Sequence, residues 1–204
     1  SDNTNFYYLT GRVSNTGSFA NYQGDELNVV GNYEMTMKLP PVPKDGVYEL
    51  RMGISANDRR GMCQVYWGHN KDNLAAQGIP LDVRMGGQYR YTSAGNFKST
   101  VGWVEDDEED MDYNAEVDKK MRNNGFMKGP EHYIAGLPGG TLTSRDDVNT
   151  LRRIMVRETM DPDKVYYIRF KSVLDDVNKE FYMDYIEFCA KEVYDNPETP
   201  EDIW

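Results

Sequence analysis

The chain has 204 residues, of which 39% are hydrophobic, enough for one domain with a substantial core. Its 34 Asp and Glu outnumber 23 Lys and Arg, and a net charge of −11 repels phosphate backbones, which sets it against nucleic acid as a partner. No apolar run approaches the roughly 18 residues that a transmembrane helix needs.

The opening Ser1-Asp2-Asn3-Thr4 has neither an initiator Met nor a signal peptide, so the chain reads as a fragment or processed product whose targeting sequence lay upstream. Tyr33, Met35, Met37 and Leu39 alternate with Glu34, Thr36 and Lys38, the pattern of a half-buried strand. Pro40-Pro41-Val42-Pro43 ends it, because proline cannot donate to a ladder. After the turn residues Lys44-Asp45-Gly46, Tyr48, Leu50, Met52 and Ile54 alternate with Glu49, Arg51 and Gly53. Met62 to Trp67 predicts a third strand, and Ile79 to Met85 a fourth entered through Gly78 and Pro80.

The middle changes character. Trp103-Val104 leads into the acidic run of residues 105–110, which reads as a solvated loop. Calcium would want several carboxylate oxygens at once, but the run lacks the D-x-[DN]-x-[DN]-G spacing. Ala115 to Arg122 predicts a short helix, with acids early, Lys119, Lys120 and Arg122 late, and Asn124-Gly125 as its stop. These bases and Lys128 are expected to pair with the acidic run. Phe126 to Gly140, with Gly129-Pro130 and Pro138-Gly139-Gly140, predicts a long structured loop.

Strands return at Leu151 to Val156, Val165 to Val173 and Phe181 to Phe188. Asp184 inside the last is expected to be buried and to accept hydrogen bonds, since an unpaired carboxylate there would be too costly. Cys63 and Cys189 sit in apolar strand-like segments and read as small buried hydrophobes rather than a disulfide. Short strands separated by turns argue two antiparallel sheets rather than βαβ units.

Gly46-Val47-Tyr48-Glu49-Leu50-Arg51 resembles the G-x-Y-x-x-R strand of galactose-binding-like carbohydrate-binding modules, and Asp184-Tyr185-Ile186-Glu187 resembles their closing strand. Further segments resemble an uncharacterised C-terminal domain of Bacteroidetes fasciclin-type surface lipoproteins. They are Gly78 to Asp82, Asp118 to Pro130, Leu151 to Ile154 and Glu201 to Trp204, with Met121 to Pro130 the most specific. The resemblance covers most of the chain. It implies an exported protein, tethered to the outer membrane through an upstream segment, in a setting devoted to glycan capture. It carries no site residues across.

Catalytic motifs are wanting. His69 and His132 form no H-x-x-x-H pair, and no G-x-S-x-G elbow, P-loop or C-x-x-C occurs, so no cofactor is expected. Carboxylates are too abundant for a glycosidase pair to stand out, because such a pair is defined by separation in space. A sugar site needs a flat ring flanked by polar groups. Trp67 leads into the polar turn Gly68 to Asn73, Tyr91 lies in a Gly-bounded loop, Trp103 borders the acidic run, and His132 and Tyr133 lie in the long loop. These five are the candidate ligand-binding residues.

The expectation is a single all-β domain, an antiparallel β-sandwich of jelly-roll or galactose-binding-like type, with an insertion over residues 105–145 carrying a short helix. Its expected role is non-catalytic carbohydrate binding at a cell surface, with neutral glycans preferred over anionic ones at this charge. A structural or adhesive module binding neighbouring surface proteins is the second reading, and a glycan-processing enzyme the third.

Overall fold

The computed structural model of the protein describes residues 5–9, 26–55, 61–82, 150–173 and 180–198, with 116, 119, 120, 122, 123 and 125–128. The described strands are β1 (Asn5–Leu9), β2 (Glu26–Val30), β3 (Glu34–Lys38), β4 (Gly46–Ser55), β5 (Met62–Gly68), β6 (Ala75–Asp82), β7 (Phe126–Lys128), β8 (Thr150–Met160), β9 (Tyr167–Ser172) and β10 (Glu180–Ala190). A single helical turn follows, α1 (Lys191–Tyr194). They form a six-stranded sheet in the order β1-β2-β10-β4-β8-β7 and a four-stranded sheet in the order β3-β9-β5-β6. Every pairing is antiparallel, so the all-β expectation holds.

Alternation places the core. Leu50 and Met52 on β4, Phe181 on β10, Val65 and Trp67 on β5, and Ile168 and Phe170 on β9 belong to one hydrophobic cluster drawn from both sheets. Phe181 joins the two, its ring centroid 5.1 Å from that of Phe170 and 5.4 Å from that of Tyr33. Complete burial of such a side chain stabilises by about 1.5–3 kcal/mol.

Strict alternation fails on both sides of β4. On β10, Met183 faces Ile54 but Tyr185 faces Gly53, so Asp184 is an extra residue. Phe181 and Met183 pack inward before it, and Ile186, Phe188 and Ala190 after it, so the inward parity switches. The Asp184 side chain lies outside the described ones. On β8, Leu50 faces Val156 while Arg51 faces Ile154, leaving Met155 as the extra residue, and both Met155 and Val156 pack against the core. Such bulges redirect side chains and concentrate next to functional sites.

A third irregularity lies between β5 and β6, where Cys63 faces Leu81 and Val65 already faces Gln77. Gln64 fills the gap, its amide nitrogen donating to the carbonyls of Val65 (3.0 Å) and Gln77 (3.1 Å). Gly78 turns there with φ +54, and Ile79 is left 84% exposed.

Several predicted bounds move. The fourth strand begins earlier, at Ala75, and the strand from Leu151 continues to Met160. Phe126–Lys128 is a strand rather than loop, because its backbone pairs with Leu151 to Arg153 and completes the sheet edge. Gly125 precedes it at φ +79, a conformation that L side chains rarely adopt, and its N–H donates to the Arg122 carbonyl (2.9 Å) as the preceding helical residues end.

Neither Cys63 nor Cys189 is in a disulfide among the described residues; Cys63 is fully buried and Cys189 partly so. Among the described residues, no helix is long and apolar enough to cross a membrane.

Candidate functional site

Glu49 and Arg51 lie two apart on β4 and therefore share the face turned away from the core. Both are nonetheless fully buried. Register brings their partners: Arg157 on β8 stands opposite Glu49, and Glu187 on β10 stands opposite Arg51. Arg122 arrives from the segment before β7, placed by the Gly125 turn, and Tyr194 from α1.

Glu49 is the hub. Its Oε2 accepts from Arg51 Nε (3.0 Å) and Nη2 (2.7 Å) and from Arg122 Nη2 (2.9 Å). Its Oε1 accepts from Nε (3.0 Å) and Nη2 of Arg157. Arg51 Nη1 reaches Glu187 Oε1 at 3.5 Å. The Tyr194 ring caps the group, with the guanidinium carbons of Arg122, Arg157 and Arg51 at 5.0, 5.6 and 5.7 Å from its centroid.

The hydrogen bonds to Glu49 raise the Arg157 pKa above its ordinary value, and burial followed by the Glu49 charge raises that of Tyr194. A guanidinium does not give up its proton near neutrality. The arrangement fixes charge and direction. Exposure is graded, from 1% for the Arg51 side chain through 22% for Arg122 to 55% for Arg157. Helix α1 also borders an open cleft of about 350 Å³ lined by Lys44, Asp45, Tyr48, Ala190 and Asp195.

Of the five residues that the sequence proposes for a site, only Trp67 lies among the described ones. Trp67 is a correction: it is 4% exposed, stacked on Tyr166 at 5.3 Å with 19° between the planes, and its indole N–H donates to Glu158. A ring so placed is core, not a sugar platform. Its parity with Cys63 and Val65 already marks the inward face, though the polar turn that follows it suggests otherwise. Tyr91, Trp103, His132, Tyr133 and the acidic run 105–110 lie outside the described residues. Among the described residues, no group of three or more His, Cys, Asp or Glu could hold a metal ion.

Arg122, which the sequence pairs with the acidic run, meets the buried carboxylate of Glu49 on β4. Alternation alone marks Glu49 and Arg51 as the polar half of the strand, whereas both are fully buried; the sequence signal at these positions is the G-x-Y-x-x-R phrase, which contains both.

Comparison of the chain with protein-family models, curated proteins and solved structures finds no match.

Proposed function

We propose that this chain is a non-catalytic binding module of galactose-binding-like sandwich type, exported to a bacterial cell surface, with carbohydrate as its ligand class. The observation that carries the reading is the Glu49 cluster, a preorganised polar array beside the aromatic face of Tyr194. Sugars are held by such combinations, a ring against the C–H face and fixed donors on the hydroxyls. The proton-inert chemistry of arginine suits holding a ligand better than transforming one. Two antiparallel sheets around one core, and the resemblance of β4 and β10 to strands of those modules, support the same reading. The net charge disfavours densely anionic chains at low salt.

A glycan-array screen of the purified chain tests the proposal. Binding to one glycan class, lost in Tyr194→Ala without a change in melting temperature, is the expected result. An array without hits overturns it. The second reading, a structural or adhesive module, draws on Ile79, which is 84% exposed on the edge strand β6.

A further inference from the structure

A guanidinium offers a side fork, Nε with one Nη, and an end fork formed by the two Nη groups. Arg157 spends its side fork on Glu49. Among the described residues its Nη1 makes no hydrogen bond, and the side chain is 55% exposed, so the end fork faces outward. The guanidinium is not free to wander, because the Glu49 carboxylate that holds it is itself held by Arg51 and Arg122. A donor pair fixed in advance loses little freedom on binding.

We propose that the end fork of Arg157, whose guanidinium carbon lies 5.6 Å from the centre of the Tyr194 ring, receives a single carboxylate on an acidic sugar. This rests on the carbohydrate reading above and names its ligand. Two parallel N–H groups match a planar carboxylate bidentately, and the phenol ring alongside offers an apolar surface to the pyranose. The overall charge of −11 does not forbid it. At physiological salt, charges more than about 8 Å away are largely screened, so the local guanidinium decides for an isolated carboxylate. A polyanion, laid along the acidic surface, meets repulsion at each of its charges.

The test is a titration of the purified chain, followed by NMR, with a disaccharide ending in glucuronic acid, its methyl ester and its glucose counterpart. The acid is expected to bind at least about tenfold more tightly than the ester. Arg157→Met should erase that preference, Arg157→Lys should restore part of it, and Tyr194→Ala should weaken all three sugars. Equal affinity for acid and ester in the wild-type chain overturns the inference and leaves the carbohydrate reading standing. Failure of all three sugars here and of every glycan on the array overturns both. If acetate and a short peptide with a free C-terminal carboxylate bind as tightly as the acid sugar, the fork belongs to protein carboxylates and the sugar assignment falls.

Discussion

Glu49 and Arg157 stand directly opposite each other on β4 and β8, and their contact joins a carboxylate with no exposure to a guanidinium whose side chain is 55% exposed. The pair conducts the inside of the sheet to its surface. Arg51, on the buried side of the same carboxylate, is 1% exposed. Removing one member of such a network is costly, because the charges left behind are already desolvated.

Glu49→Gln should therefore destabilise by about 3–5 kcal/mol, since Arg51 would keep its burial and lose the charge of the carboxylate that its Nε and Nη2 hold. Arg157→Gln should cost much less, as its side chain is largely solvated. Urea unfolding of the two variants checks the ranking. Equal losses would show that burial does not govern this cluster.

Tyr185 and Gly53 form a second constraint. A Cβ built on Gly53 would lie 2.3 Å from Tyr185 Cε1, so the ring rests directly on the glycine backbone. Gly53→Ala should cost about 1–3 kcal/mol through overpacking. In the Tyr185→Ala background the same change should be nearly free, and a double-mutant cycle reads the coupling.

Tyr33 is 4% exposed, and its hydroxyl lies beside the Cys63 thiol, a weak partner, without a well-formed hydrogen bond among the described residues. Tyr33→Phe removes a buried polar group and keeps the ring contact with Phe181. Its midpoint in urea should be unchanged or higher, by up to about 1 kcal/mol in stability. A loss larger than that would reveal a partner for the hydroxyl.

Burial pushes the Cys63 thiol up to about 12 from an ordinary value of 9.0, and it pushes the Tyr33 phenol beside it upward as well. An acid raised in the fold stays protonated there while the unfolded chain ionises earlier. The stability this provides is complete below about pH 9 and is lost as pH rises from there towards about 12. The stability of wild type should fall more steeply across that window than that of Cys63→Ala. At pH 8 the native chain should leave Cys63 unalkylated, because the thiolate is the reactive species. Parallel stability curves, or rapid native labelling of Cys63, would contradict the assignment.

Alternation alone identified the inward faces of β3 and β4, since side-chain period and burial coincide on an uninterrupted strand. Gly125 was equally legible as a helix stop, because a left-handed residue is a local requirement. The bulges at Asp184 and Met155 were not, since an extra residue is defined only against the partner strand. Nor was β7, whose three residues become a strand only through the ladder that β8 offers.

The sequence by itself determined an acidic, antiparallel all-β chain, because composition and period-2 patterning act locally. Only the tertiary structure decided that Trp67 belongs to the core and that Glu49 gathers Arg51, Arg122 and Arg157. Those residues come from three separate stretches of chain, and strand register, which no local pattern encodes, sets which charges meet. Burial then turns a surface-like alternation of Glu and Arg into a fixed array, since charges taken out of water must find each other.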